Sequence, residues 1–322
     1  MEMKLLGRTG LRVSPLCFGT MSFGGDADEG EAARLYAAVR ERGINFLDCA
    51  DAYGKGRAEE ILGRLMAHER DALIVTTKCH QPMGADPNAQ GSNRRHVTRA
   101  VEASLRRLGT DRVEVLFLHR WDDTVPVEET LRALEDLVRA GKVLHVGVSN
   151  WSAWQTALGL GLADRHGWSR IDVLQPMYSL VKRQAEVEIL PLARHEGLGV
   201  ITYSPLGGGL LSGKYAGRSA ASGRLVDNPQ YTKRYGEARA HETAEAFAAF
   251  AGERGVHPVT LAVAWAAGNP DVTCPIIGAR SVEQLRPALG ALDFAMPPEL
   301  RAEIAALAPA PAPATDRSEE TA

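Results

Sequence analysis

Hydrophobic and polar positions along this chain fall into repeating blocks: a short apolar run ends in a polar cluster, then a stretch with helical spacing follows. Ile44 to Gly54 begins apolar and closes on Asp48-Cys49-Ala50-Asp51-Ala52-Tyr53-Gly54, as a buried strand does on emerging at the rim of a sheet. Ala72 to Lys78 repeats the design, with Leu-Ile-Val and two threonines before a lysine. Val113 to His119 does so again, with Val-Leu-Phe-Leu running into a histidine. Pro15 to Thr20, Val143 to Val148, Ile171 to Gln175, Leu198 to Tyr203 and Thr273 to Gly278 complete a set of eight strands. Apolar runs without alternation suit parallel strands covered on both faces.

Between them the period changes to that of helices. Asp28 to Arg42 is closed by Gly43, and Ala58 to Ala67 precedes the strand ending at Lys78. In Asn93 to Leu108, Val97, Val101, Leu105 and Leu108 recur at spacings of four and three before Gly109 stops the helix. Pro126 opens a helix carrying Leu131, Leu134, Leu137 and Val138, which Gly141 ends. Trp151 to Arg165 and Ala185 to His195 follow, and Pro191 demands a kink or a late start in the second. Glu237 to Arg254, Pro258 to Ala267, Val282 to Leu289 and Pro298 to Leu307 are the remaining helices. The stretch from Ser204 to about Gly236 breaks the rhythm and reads as a long binding loop or lid. Met3 to Leu6 and Leu11 to Ser14, around Gly7-Arg8-Thr9-Gly10, read as a hairpin ahead of the repeats.

Eight strand–helix repeats predict an α/β fold, a (β/α)8 TIM barrel with an N-terminal β-hairpin and extra C-terminal helices. It forms one domain over residues 1–308. Gly19 to Gly25 holds no Gly-x-Gly-x-x-Gly, which favours the closed barrel over an open doubly wound sheet. The Ala-Pro repeats and charges of residues 309–322 predict a disordered tail. Of 322 residues 45% are hydrophobic, enough for one large core, and the formal charge of −3 is spread evenly. That balance excludes a nucleic-acid or membrane-surface footprint. No apolar run reaches the ~18 residues of a membrane span, and Met1 to Gly10 lacks the apolar segment of a signal peptide. Cys17, Cys49, Cys79 and Cys274 show no metal or disulfide spacing, which predicts free thiols in a reducing cytoplasm. No metal site is expected, since His80, His145, His166 and His241 lack ligand spacing.

Barrel enzymes place their chemistry at the C-terminal ends of strands. There the sequence delivers Asp48 with Tyr53, then Lys78, then His119. A phenol ordinarily titrates near about 10, and a neighbouring ammonium favours its ionised form, so Lys78 is expected to sharpen Tyr53 as an acid. Asp48 can keep that lysine charged, and His119 can donate a hydrogen bond to a carbonyl oxygen. No side chain can donate hydride, so a cofactor is required.

Those residues and their surroundings resemble the aldo-keto reductases, and among them bacterial reductases related to potassium-channel β-subunits. The likeness covers about Lys4 to Leu289. Asp48 to Gly54, Lys78 and Leu118-His119-Arg120-Trp121-Asp122 are similar to the catalytic tetrad motifs, which implies catalytic roles for Asp48, Tyr53, Lys78 and His119. The resemblance implies NADP(H) as cofactor and a small-molecule carbonyl compound as substrate. Ser149-Asn150 and Gln175 look like the residues holding the nicotinamide carboxamide. Tyr203-Ser204-Pro205-Leu206-Gly207 resembles the motif whose aromatic ring stacks on the nicotinamide, and Gly19, Thr20 and Met21 lie on the same cofactor rim. Gly209, Ser212 and Lys214 look like the pyrophosphate loop, and Arg224 stands where some members place a basic residue and where a solvated arginine is the alternative. Gly278, Arg280 and Gln284 are similar to the site for the 2′-phosphate of NADPH. Pro287 and Ala288 stand where many members carry an acid and an asparagine. Phe23, Trp121 and Tyr178 are candidates for the substrate wall, or else packing residues. Two functions follow: an NADPH-dependent reductase of aldehydes or ketones, or an NADP(H)-binding regulatory subunit like the channel β-subunits.

Overall fold

In the computed structural model, which describes residues 1–215 and 223–315, the apolar runs become strands that are buried on both faces. Two strands, β1 (Lys4–Leu5) and β2 (Arg12–Val13), pair antiparallel as the predicted hairpin. Eight more follow: β3 (Cys17–Gly19), β4 (Phe46–Asp48), β5 (Ile74–Cys79), β6 (Val113–Leu118), β7 (Val143–Ser149), β8 (Ile171–Gln175), β9 (Gly199–Thr202) and β10 (Cys274–Ile277). All eight pair in parallel, and β10 bonds to both β9 and β3, so the sheet closes into a barrel.

The first helices between strands are α1 (Glu29–Glu41), α2 (Arg57–Met66), α3 (Arg94–Leu108), α4 (Val127–Arg139), α5 (Ala153–His166) and α6 (Ile189–Glu196). Their ends follow capping chemistry. Asp28 and Asn93 accept from backbone N–H groups three residues on, and Ser152 with Gln155 forms a full capping box. Pro191 sits in the first turn of α6, where its missing N–H has no partner to lose, so the late start is what occurs.

The stretch read as a long loop after β9 holds more structure than its sequence suggests. Gly207–Ser212 forms a 3₁₀ segment, and α7 (Arg224–Asp227) and α8 (Pro229–Tyr235) follow. Four and seven residues are too few to display a helical period, so the pattern could not reveal them. The chain then continues through α9 (Ala238–Glu253), α10 (Pro258–Ala267), α11 (Val282–Leu289) and α12 (Pro298–Ala305). Of the tail expected to be disordered, residues 316–322 lie outside the described residues.

Side chains alternate between two cores. Val115 and Phe117 of β6 point into the barrel with Phe46, Val173 and Ile201, whereas Leu116 and Leu118 face the helices. Leu6 and Val13 from the hairpin join the inner cluster, and Leu6 lies so close to Gly199, at the start of β9, that a Cβ there would stand 2.7 Å from its side chain. The hairpin therefore plugs the barrel where its strands begin, and chemistry is left to the opposite rim. All four cysteines are buried and unpaired. Among the described residues, no helix is long and apolar enough to cross a membrane.

Candidate active site

Parallel register brings the strand ends together. Asp48 stands beside Gly19 on one side and Thr76 on the other, and Lys78 stands beside Phe117. Phe46 faces the barrel interior, so Asp48, two residues on, does too; Ile74 carries Thr76 and Lys78 inward by the same period. Lys78 Nζ lies 2.6 Å from Asp48 Oδ2, 2.8 Å from the Cys49 carbonyl and 3.1 Å from the Tyr53 hydroxyl. An ammonium has three donors, and all three are used. Asp48 Oδ1 accepts from the Thr76 hydroxyl at 2.8 Å and from Gln175 Nε2 at 2.9 Å. A buried ion pair holds only when its remaining donors and acceptors are met in this way. Local pattern does not reveal the Gln175 contact, whereas Thr76 lies two residues before Lys78 and so shares its face.

Burial works against the charge on Lys78, but Asp48 and then Tyr53 outweigh it and raise its proton affinity above the ordinary lysine value. Burial likewise pushes the Tyr53 hydroxyl up to about 12; Lys78 pulls it back, and Asp48 adds to the rise. The expected acidification of Tyr53 is thus outweighed, because the desolvation of the phenol exceeds the pull of its neighbour. His119 meets Tyr53 edge-on, ring centroids 6.2 Å apart at 78°. Burial, then the Lys78 charge and His80, lower its imidazole to about 3, which leaves it neutral. Its Nδ1 is buried without a hydrogen-bond partner among the described residues.

The remaining rim carries polar groups suited to an extended anionic ligand. Asn150 adopts a left-handed backbone (φ 58°) directly after β7. Its amide donates to the His119 carbonyl at 2.9 Å and accepts from the Tyr203 hydroxyl at 2.7 Å. Ser149 donates to the Gln175 carbonyl, and Thr20 is buried with its hydroxyl on the Asp48 carbonyl. Met21 beside it is 43% exposed. Ser204 is also left-handed (φ 60°), and Gly207, Gly208 and Gly209 continue with φ of 58°, 68° and 101°. This run makes a tight turn in which the Gly207 and Gly209 N–H groups donate to the Ser204 and Leu206 carbonyls at 2.9 and 3.0 Å, and its glycines let a ligand approach the backbone closely. Ser212 closes this segment on the Gly209 carbonyl, and Lys214 lies over the Tyr215 ring at 4.7 Å. Across the rim, Gly278 packs against the Gly19 carbonyl, and the Arg280 N–H donates to Gln284 Oε1 at 3.3 Å. Carboxylates already sit there: Asp26 on Arg280 at 2.9 Å, and Glu31 on the Val282 N–H at 2.9 Å. A corner that holds two carboxylates has the donor chemistry for a phosphate, so the residues fit a dinucleotide. The side chain of Arg224 lies outside the described residues.

The aldo/keto reductase family model matches residues 15–309. The chain belongs to the aldo/keto reductase family. Among its relatives is the uncharacterized oxidoreductase YrpG of Bacillus subtilis, 38% identical over 93% of this chain and 94% of that one. A probable voltage-gated potassium channel subunit beta of Oryza sativa subsp. japonica is also 38% identical, over 91% of this chain and 92% of the relative. The versiconal hemiacetal acetate reductase of Aspergillus parasiticus is 29% identical, over 93% and 94%.

Two of the residues proposed for the substrate wall are elsewhere in this aldo/keto reductase. Phe23 is fully buried, its ring 5.9 Å from Phe18, and it belongs to the outer core. Tyr178 is also fully buried and stacks on Trp265 of α10 at 5.2 Å. Sequence alone could not separate a lining aromatic from a packed one. Trp121 remains at the rim, half-buried, with Trp151 and Trp154 at 4.6 and 5.6 Å. Asp51 is wholly buried, and among the described residues neither carboxyl oxygen has a well-formed hydrogen bond, the Ala52 N–H being its nearest donor. Burial, with Glu59 nearby, raises it to about 7.

Proposed function

We propose that this aldo/keto reductase is an NADPH-dependent carbonyl reductase, taking an aldehyde or ketone to the alcohol with Tyr53 as proton donor. The observation that carries the reading is Lys78 Nζ, seated between Asp48 Oδ2 at 2.6 Å and the Tyr53 hydroxyl at 3.1 Å. A bound NADPH supplies the hydride that no side chain can. Ser149, Asn150 and Gln175 would hold its carboxamide, the Tyr203 ring would flank the nicotinamide, and Ser204 to Lys214 with Arg280 and Gln284 would take its phosphates.

The residues of the chain account for the proton. A phenol held near about 12 stays protonated at any working pH, so the donor is always loaded. As negative charge grows on the carbonyl oxygen, Tyr53 passes its proton there, and an aliphatic alcohol is a weaker acid than the phenol, which makes the transfer downhill. The Lys78 ammonium stabilises the phenolate left behind, and Asp48 keeps that ammonium in place. Neutral His119 orients the carbonyl by donation from one nitrogen. We assign the proton to Nε2, because a buried acceptor such as Nδ1 is left unpaired in proteins more readily than a buried N–H. Four buried free thiols support a reducing, cytoplasmic setting.

The plant relative named as a probable potassium channel subunit beta favours a second reading, an NADP(H)-binding regulatory subunit that need not turn over substrate. Purified protein mixed with excess NADPH and 4-nitrobenzaldehyde separates the two. Many turnovers per active site are expected; tight NADPH binding with a single slow turnover, across a panel of aldehydes and ketones, would transfer the assignment to the binding role.

A further inference from the structure

Arg280, the residue that would take the 2′-phosphate, is already engaged. Its guanidinium meets Asp26 Oδ2 at 2.9 Å, with the two side chains 40% and 47% exposed. Asp26 belongs to the turn after β3, which is closed by the Gly24 N–H on the Ala27 carbonyl at 2.9 Å. Ser22 ties that turn to the β10–α11 connection, its hydroxyl donating to the Ala279 carbonyl at 2.7 Å. The first turn of α11 is occupied as well. The Val282 N–H donates to Glu31, which Arg34 holds, and Glu283 folds back on its own N–H and on Ser281. Arg280 Nε and the N–H groups of Arg280, Val282, Glu283 and Gln284 thus all face oxygens of this chain, and three of those oxygens belong to carboxylates.

Such occupation affects the two nicotinamide cofactors differently. NADH carries a 2′-hydroxyl, and the Arg280–Asp26 pair can persist beside it. The 2′-phosphate of NADPH needs the same guanidinium, and the Asp26 carboxylate on its Nε then either gives way or stands next to a like charge. We propose that Asp26 is a specificity-determining residue whose carboxylate competes with the 2′-phosphate for Arg280 and lowers the preference for NADPH over NADH. The proposal rests on the reading of Arg280 as the phosphate-binding residue given above. An ion pair this exposed is worth at most about five-fold in an equilibrium constant, which bounds the effect.

Titrating NADPH and NADH by quenching of protein fluorescence tests this in wild type, Asp26→Asn, Arg280→Ala and the double variant. Asp26 is half-exposed in a surface turn, so the amide leaves folding undisturbed. Asp26→Asn is expected to tighten NADPH about two- to five-fold, leave NADH unchanged, and have no effect on either cofactor once Arg280 is alanine. If Arg280→Ala weakens NADPH but Asp26→Asn leaves it unchanged, or tightens both cofactors equally, Asp26 is no competitor and the phosphate reading stands. If Arg280→Ala changes neither cofactor, the phosphate reading itself falls and the role of Asp26 with it.

Discussion

Tyr53 is the residue on which the proposed chemistry turns, and its removal should be read by two measurements at once. Tyr53→Phe keeps the ring that Lys78 overlies at 4.8 Å but removes the proton. Turnover should fall about 10²- to 10⁴-fold while NADPH affinity stays within a factor of about two. A variant that keeps most of its activity takes Tyr53 out of the mechanism. The pH dependence is fixed by the same residues. His119, lowered to about 3, and Tyr53, raised to about 12, place both titrations outside the usual range. The reductive kcat/KM should therefore be flat from pH 5 to 9, provided the fold is intact; an inflection near 6.5 would show that His119 titrates in the site. Stability has a different profile. His119 binds fewer protons folded than unfolded, so its contribution is full above about 6.5 and is lost as pH falls toward about 3. Asp51, raised from 3.8 to about 7, has the opposite sign: its stabilising protonated form is full below 3.8 and is lost as pH rises through 7. Asp51→Asn should thus gain stability relative to wild type between pH 5 and pH 8, by on the order of 2–3 kcal/mol at most. Equal differences at the two pH values, by denaturant unfolding, would mean that Asp51 is ionised throughout.

Elements were the most legible scale, because caps, periods and glycine stops are local. Asp28, Asn93 and Gly109 mark helix ends in the sequence, and they do so in the fold. What local pattern cannot report is how close two elements come. Gly63 in α2 and Gly161 in α5 look alike as helix-interior glycines, and alanine in such a position is intrinsically favoured by about 1 kcal/mol. A Cβ at Gly161 meets nothing within 4 Å, whereas one at Gly63 would sit 2.7 Å from the backbone of Arg107 and Leu108 in α3. Backbone cannot swing aside as a side chain can. Gly161→Ala should stabilise by about 0.5–1 kcal/mol, and Gly63→Ala should destabilise by about 1–3 kcal/mol despite its propensity gain. Matching shifts in thermal midpoint for the two variants would show that α2 and α3 are not in contact at Gly63. The same limit explains the corrections at the site. Asp48, Lys78 and His119 announce themselves at strand ends, but whether Phe23 faces ligand or core depends on Phe18, a neighbour that only the closed barrel supplies.

At the scale of the whole molecule, Tyr178 shows how the barrel and its added helices are joined. Its hydroxyl donates to Glu186 and accepts from Asn269 at 2.9 Å and from Arg301 at 2.8 Å. Those partners come from the segment before α6, the connection just after α10 and the middle of α12, so one buried oxygen links the β8 loop to three separate stretches of chain. Arg301 also lies over the Trp265 ring at 4.9 Å, and the Trp265 indole N–H returns a bond to the Arg301 carbonyl at 3.1 Å. Helix α12 follows the last strand–helix repeat, and this hub helps to fasten it, together with the buried Ile304, the Arg183 bond to the Ala305 carbonyl and the Arg254–Glu303 pair. Tyr178→Phe keeps the stacking on Trp265 and deletes the hydroxyl. Arg183 still pairs with Glu186, so the loss is that of partly stranded polar groups, about 1–3 kcal/mol, and not of an uncompensated charge. Thermal unfolding should move down by several degrees, while kcat/KM for an aldehyde that is turned over stays within about two-fold. Were Tyr178 a wall of the substrate site, the pattern would reverse: kcat/KM would change and the midpoint would hold. Measuring both on one preparation decides between them, because a fully buried hydroxyl at a junction of helices can reach the substrate only if the barrel rim opens there.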